Sequence, residues 1–460
     1  MTAPPGFRLP PAAQVAWLIA NPRGFYEAGR RRFGPVFQVR FPGLPPEVCV
    51  ATADLAEHVF ATDSGAGRAG DIRRNFVGPL VGEESLLCLD REPWWRHRKL
   101  ISPPLHGRAV ARWKETIAEI AAEEVATWPT GRPFALRPRM ERITLEVIMR
   151  VVFGITDAER LRSLRGLLPR LVELGGSAAL LRLPPKVRDR ATTSPLLLKA
   201  GALPTTRYVR VRDAVDAILY DEIARRRANP DPSAMDVLSQ LVAARDDTGA
   251  PLTDQELRDE LMTLLQAGHE TTATALAWTF ERLVRSPRAL ATLRDELADG
   301  GEGPYLGAVV KEALRARPIV LGAPRTLDEP ISIGGYAIPA GWYVSAAIPL
   351  ILSDPDVYPD PEEFRPERFL GEDAARANKA WIPFGGGRRY CAGAQLAMLE
   401  LRTVLTEVLR GVSLAPVQAR PERPILKNVT LAPSRSAQVL SRPRGALGGT
   451  GRGIMALSDR

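Results

Sequence analysis

Cysteine is scarce. Only Cys49, Cys88 and Cys391 occur, too few and too dispersed for a disulfide framework or a four-ligand zinc site, so a reducing cytoplasm is the expected setting. Long apolar runs are also missing. The longest near the N-terminus, around Ala12 to Ala20, is less than half of the roughly 20 residues a membrane span needs, and it follows a proline-rich start without a basic signal-peptide region. Neither export nor a transmembrane anchor is expected. The chain has 62 Lys and Arg against 53 Asp and Glu, but nearly all of the positive side is arginine scattered among acids. No basic block, RNA-binding aromatic pattern or zinc-finger spacing concentrates it, which argues against nucleic acid and leaves an acidic protein partner as the better use of such a surface. There is no internal repeat and no linker.

Hydrophobic residues at 45% and charged residues at 25% are ordinary globular usage, enough for a large core. Short β-type runs at Pro35 to Arg40 and Glu47 to Ala51 read as a small sheet within residues 1 to about 65. Long amphipathic stretches follow from about 94 to 315, including Ala109 to Trp128, Met140 to Phe153, Val211 to Arg227 and Thr253 to Arg285. Pro/Gly punctuation returns between about 318 and 390, with Ile331 to Ile338 as a hairpin and 352 to 390 as a long irregular segment. Helix resumes over about 393–410, and short strands close the fold. A single catalytic domain over 1–442 is expected, followed by a Gly/Arg-rich tail at 443–460 that lacks a core-forming pattern.

The segment Phe384-Gly-Gly-Gly-Arg-Arg-Tyr-Cys-Ala-Gly393 is a glycine-rich loop leading to a cysteine that opens a helix. Amide hydrogens and the positive end of the helix dipole favour the thiolate there, the form that binds metal. The glycines permit left-handed backbone and close approach to a flat ligand, and Phe384 can shield the sulfur from water. Arg389 can grip a carboxylate such as a haem propionate by a two-pronged hydrogen bond. Cys49 and Cys88 sit in apolar, strand-like runs and read as packing residues. The loop resembles the pattern Phe-Gly-x-Gly-x-Arg-x-Cys-x-Gly of the cytochrome P-450 superfamily, with every specified position occupied. That resemblance implies haem b (iron protoporphyrin IX) with Cys391 as the iron ligand and Gly393 part of the cofactor site.

A second cluster, Ala267-Gly-His-Glu-Thr-Thr272, lies in a helix otherwise flanked by Leu264, Leu265, Leu276 and Trp278. Ala267 and Thr271 are four apart and share one face, leaving a small residue where cofactor or oxygen must approach. The Thr271 hydroxyl can bond back to the carbonyl of residue 267 and loosen the helix. The cluster resembles the superfamily's acid-alcohol pair, which implies a proton path through Glu270 and Thr271 to the bound oxygen, with the carboxylate relaying from solvent. His269 is two positions from Thr271 and should point away without ligating.

Glu312-Ala-Leu-Arg315 resembles the superfamily's Glu-x-x-Arg element, and Arg368 supplies its third member. These three are expected to form a buried structural charge network beneath the cysteine loop. Trp94-Trp-Arg-His-Arg98 matches the family's Trp-x-x-x-Arg element, making Trp94 and Arg98 candidate propionate donors, and Arg325 occupies the place of a further one. His97 and Arg388 read as members of an exposed basic rim that would attract an acidic electron donor. Wall candidates for a substrate pocket are Leu265, Ala267, Ile319, Val320 and Leu431, within apolar regions at about 66–90, 170–210, 319–323 and 428–434.

Together these elements imply the triangular, mainly α fold with a small β region, haem lying between the oxygen-activating helix and the cysteine loop. The implied reaction inserts one oxygen atom of O2 into a lipophilic small molecule by hydroxylation or epoxidation. A soluble monomer is expected, with electrons from NAD(P)H through a separate ferredoxin and ferredoxin reductase. A peroxide-using enzyme and a non-enzymatic haem sensor are the alternatives.

Overall fold

The computed structural model describes residues 2–175, 194, 204–300 and 302–443. The tail call at 443–460, apart from its first residue, and much of the apolar region 170–210 lie outside them.

The chain opens with helices α1 (Pro11–Ala20) and α2 (Pro22–Phe33), then strands β1 (Val36–Val39) and β2 (Glu47–Val50), helix α3 (Ala53–Ala61) and the short strand β3 (Gly67–Arg68). Helices α4 (Gly70–Val81), α5 (Arg91–Ile101) and α6 (Lys114–Val125) follow, then β4 (Pro133–Ala135), α7 (Arg137–Val147), α8 (Ala158–Gly175) and α9 (Pro204–Ala228). The longest helix among the described residues is α10 (Asp254–Leu283), and α11 (Pro304–Ala316) leads into β5 (Ala323–Leu327), β6 (Ile331–Ile333), β7 (Tyr336–Ile338) and β8 (Tyr343–Ala346). Helix α12 (Ala394–Gly411) precedes β9 (Val412–Pro416), β10 (Pro424–Lys427), β11 (Thr430–Pro433) and β12 (Gln438–Pro443). Two further helices, Val237–Ala243 and Pro287–Ala298, and short helical turns fill the connections.

The two strands expected within residues 1 to about 65 form at Val36–Val39 and Glu47–Val50, but three helices accompany them. The prolines that read as loop punctuation are first-turn residues of α1 and α2. Proline is well suited to that position because its fixed φ is helical and the amide it lacks would have no partner there. The sheet itself has the order β1-β2-β8-β5-β3. Its β2–β8 pairing is parallel and sets Val48 opposite Val344, while the β6–β7 hairpin forms as expected. The stretch from Met140 to Phe153 is helical but passes into a π turn over Ile148–Val152.

Helix α10 is buried on almost every side, which is why its sequence lacks a clean amphipathic stripe. Leu257, Leu261, Leu276 and Phe280 share the main core with Met140 and Ile143 of α7 and with Val404, Leu405 and Val408 of α12. A smaller core joins the sheet, through Val48, Val50 and Val344, to Val59 and Phe60 of α3. Among the described residues no helix is long and apolar enough to cross a membrane.

The start of α10 is fixed by a reciprocal cap. The Thr253 hydroxyl accepts from the Glu256 amide at 3.1 Å, and the Glu256 carboxylate accepts from the Thr253 amide at 2.6 Å. Replacing Thr253 by Ala should lower stability by about 1 kcal/mol, with Thr253→Ser restoring most of it, read by chemical denaturation.

Candidate functional site

Midway along α10 the burial breaks on one face. Ala267 is exposed and Leu264, Gly268 and Thr271 are partly exposed, although the residues around them are buried. Positions 264, 267, 268 and 271 fall on one side of a helix, so a cleft runs along that side. Thr271 Oγ1 donates to the Ala267 carbonyl at 2.5 Å, the back-bond its spacing predicts, yet the helix continues unbroken. Leu265 is corrected: it is fully buried in the main core on a different face, and Leu264 is the leucine at the cleft. His269 points away as expected. Its Nδ1 meets Thr144 Oγ1 at 2.8 Å, and burial lowers its pKa to about 4.

Glu270 is buried rather than turned to solvent. Its carboxylate accepts from Arg137 at 3.4 Å, Thr430 Oγ1 at 3.1 Å and Asn428 Nδ2 at 3.2 Å, which ties α10 to α7 and to the β10–β11 hairpin. Any proton reaching Glu270 must therefore pass these polar neighbours, not enter from bulk water directly.

The cysteine loop turns on Gly385 and Gly387, at φ 71° and 65°, in the left-handed region that glycine tolerates. Gly386 also approaches protein closely: a Cβ there would stand 2.4 Å from the Phe60 ring, whereas a Cβ on Gly385 or Gly393 would meet nothing within 4 Å. The Cys391 amide donates to the Phe384 carbonyl at 3.1 Å, and helix α12 begins three residues on. Cys391 opens onto the cleft but sits deep. Burial pushes its thiol pKa up, opposed by the Gly393 amide and by the positive charges of Arg98 and Arg73. The helix-start effect alone does not decide this thiol; a bound metal cation would, since it deprotonates a coordinating thiol.

Below the loop the expected network is assembled. Arg315 grips Glu312 with two hydrogen bonds, at 2.7 and 2.8 Å, and Arg368 Nε lies 3.5 Å from the same carboxylate. Arg315 also donates to the carbonyls of Leu352 and Pro361, and Arg368 to those of Pro359 and Asp360. The irregular segment expected over 352–390 is thus pinned to α11 by charged side chains.

Arginines gather at one edge of the cleft. Arg389 stacks 4.3 Å above the Trp94 ring, donates to Asp90 at 2.7 Å and to the Leu89 carbonyl at 2.9 Å, and keeps a buried Nη1 without a partner. Arg98 is partly exposed, and among the described residues its guanidinium has no hydrogen-bond or ion-pair partner. Asp63 holds Arg325 through two hydrogen bonds at 2.6 and 2.9 Å, and its Nη1 donates to the carbonyls of Ala323 and Pro324. Sequence reasoning also missed Asp90. It looks like the cap of α5 but makes no bond there; instead it accepts from the amides of Ala69, Gly70 and Asp71 at the start of α4.

His97 is likewise corrected, since it is buried against Glu260 at 2.7 Å and Glu256 at 3.1 Å. Arg388 does lie at the surface, where it and Lys99 flank the exposed Trp95 ring. Ile319 packs in the main core, Val320 against the sheet core, and Leu431 lines a separate cavity with Trp278 and Arg317. In the same hairpin Val429, in the turn, and Ile425, in β10, are exposed apolar residues.

A deep sulfur on one side, a small-residue helix face among buried neighbours and an orphaned guanidinium N–H at the rim fit a flat, carboxylate-bearing haem. Substituting Gly386 by Ala should push the loop off Phe60, cost about 1–3 kcal/mol and lower haem occupancy; Phe60→Leu in the same chain should recover part of it, measured by denaturation and the Soret band.

The sequence profile of the cytochrome P450 family matches residues 4–440. Cytochrome P450 135B1 of Mycobacterium tuberculosis is 42% identical over 448 residues, covering 96% of this chain and 92% of its own, and cytochrome P450 137 of the same species is 38% identical over 452 residues, covering 96% and 90%. Among solved structures, cyanobacterial CYP120A1 with bound retinoic acid superposes with a TM-score of 0.80 at 26% identity, over 96% of this chain and 100% of that one. The cytochrome P450DA haem domain gives 0.82 at 22% identity over 96% and 98%, a likeness of fold. Because the match runs along the whole fold and not only through the cysteine loop, the chain belongs to the cytochrome P450 family of haem-b monooxygenases.

Proposed function

We propose that this enzyme inserts one atom of O2 into a lipophilic small molecule by hydroxylation or epoxidation, drawing electrons from NAD(P)H through a separate ferredoxin and ferredoxin reductase. The observation that carries the reading is the face of α10, where Ala267 leaves room beside the Thr271 hydroxyl and Glu270 stands next in sequence with three polar partners. A peroxide-using enzyme or a haem sensor has no need of that pair.

Haem, when bound, supplies the iron at which O2 is activated. Cys391 would hold the iron, and Arg98 and Arg389 would answer the cofactor's carboxylates. Thr271 stands with a hydroxyl whose proton is engaged by Ala267, so its oxygen can accept a hydrogen bond at the cleft. Glu270, held by Arg137, Asn428 and Thr430, stores and passes protons toward that hydroxyl. The apolar side chain of Leu264 at the cleft favours a lipophilic guest, and the retinoic acid in the cyanobacterial relative is one such molecule. The exposed patch of Trp95, Lys99, Arg388 and Tyr390 near the cysteine loop suits an acidic electron donor. Three free thiols accord with work in a reducing cytoplasm.

Two variants test this. Cys391→Ser should abolish the red-shifted Soret band of the reduced carbon monoxide complex; a band that survives would remove the assignment. Thr271→Ala should keep consuming NAD(P)H and O2 while product per electron falls about tenfold or more in a reconstituted ferredoxin system. Unchanged coupling, or equal turnover with peroxide in place of O2 and electrons, would favour the peroxide route.

A further inference from the structure

The cavity lined by Leu431 shares no residue with the cleft at Cys391. It forms where Arg23 of α2, Trp278 of α10, Arg315 and Arg317 at the end of α11 and Leu431 of the β10–β11 hairpin meet, with Glu362 of the irregular segment at its edge. It offers about 40 Å³ to solvent-sized guests. One water needs roughly 10–15 Å³ by that measure, so the space suits two or three waters or one small ion and excludes a substrate-sized molecule. Its charge is unbalanced, because three arginines and a single carboxylate line it. Arg23 already holds that carboxylate, Glu362, with two hydrogen bonds, and Arg315 is committed to Glu312 and to backbone carbonyls. Arg317 has no such partner. Among the described residues it forms no ion pair; its Nη1 donates to the Ala316 carbonyl at 2.7 Å, its guanidinium lies 5.4 Å from the centre of the Trp278 ring, and its Nε is buried without a partner. The ring is itself fixed, since Trp278 Nε1 donates to the Leu431 carbonyl at 2.7 Å. Glu281 acts on Arg317 only through space, being engaged by Arg282, by Arg285 and by the Glu422 amide. Burial above all, and then the charge of Arg282, lower the Arg317 pKa to about 9.

A carbonyl and an aromatic face offer a guanidinium partial charge, not a counter-ion, and a buried N–H left without an acceptor is unfavourable. Water in the cavity would accept from Nε but would leave the charge unanswered. We propose that the cavity binds one small monovalent anion, a halide or a carboxylate no larger than formate, which accepts from Arg317 Nε. Size and charge both select it: the room excludes larger anions, and the one lining carboxylate is already taken by Arg23. The site joins two helices from opposite ends of the sequence, α2 and α11, to α10 and to the hairpin. Occupancy would brace the end of α11, where Arg315, two residues before Arg317, grips Glu312 and the carbonyl of Pro361. The anion would therefore steady the same irregular segment on which the cysteine loop rests, without touching the haem cleft.

Urea unfolding of the haem-loaded enzyme reads the occupancy, at constant sodium concentration with gluconate exchanged for chloride, bromide or formate. Gluconate is too large for the space and serves as the reference. In the parent the midpoint should rise with the small anion and then level off, the folding constant gaining about a hundredfold when the anion stands at one hundred times its Kd. Arg317→Gln should lack that saturable rise, while Arg410→Gln, which alters an exposed arginine at the end of α12, should keep it. General salt effects act on all three proteins alike, so the difference between the parent and Arg317→Gln is the reading. Should Arg317→Gln fail to accumulate, crystals of the parent grown in bromide decide the point, by an anomalous peak within hydrogen-bonding distance of Arg317 Nε. A parent midpoint indifferent to the anion would overturn the proposal. So would an equal saturable rise in the parent and Arg317→Gln, or bromide crystals in which the cavity holds water only.

Discussion

A carboxylate with no access to water must have its charge answered by its neighbours, and Glu312 is answered by Arg315, by Arg368 and by the Arg365 amide. Those arginines spend their other hydrogens on carbonyls of the segment from Leu352 to Glu363, which has little regular structure of its own to satisfy them. Removing one member of such a buried set costs about 3–5 kcal/mol, because the remaining charges stay behind unanswered. The cysteine loop rests on this segment. Trp381, two residues before Pro383, is tied to the Lys311 carbonyl next to Glu312, and its ring packs edge-on against Phe384. The position of the sulfur therefore descends from α11 through charge and aromatic contact, not through sheet or helix pairing.

The opposite wall follows other rules. Helix α10 is buried on almost every side, with a local absence of bulk at Ala267 and Gly268. Its polar residues are allowed inside because each is supplied with partners: Thr271 by a carbonyl of its own helix, Glu270 by three groups from two other elements, His269 by Thr144.

How legible this was depended on the range of the interactions. The Cys391 loop, the 267–272 cluster and the Glu312 and Arg315 pair could be read because each part of their chemistry lies within a turn or two of sequence. The helices α1 and α2 were hidden by prolines whose meaning depends on which side of a helix start they occupy. Asp90 and Asp63 were hidden for a different reason. Their partners, Arg389 and Arg325 among them, lie far along the chain, and an aspartate before a helix looks like a cap whether or not it makes one. Leu265 was misplaced by a single residue, which on a helix is about 100° of rotation and the difference between core and cleft.

The parallel pairing of β2 with β8 places an order on the making of the protein. Val48 emerges early in synthesis, but its neighbour Val344 appears only after the whole helical body has been made. Until then β2 and its hairpin partner β1 present an unpaired edge, and Phe60, the surface against which Gly386 must seat, belongs to a helix packed on that same unfinished sheet. Closing so long a loop is slow compared with forming local helices. Cofactor capture is thereby deferred to the last stage of folding, and a nascent chain released early would expose sticky strand edges while being unable to hold haem at all.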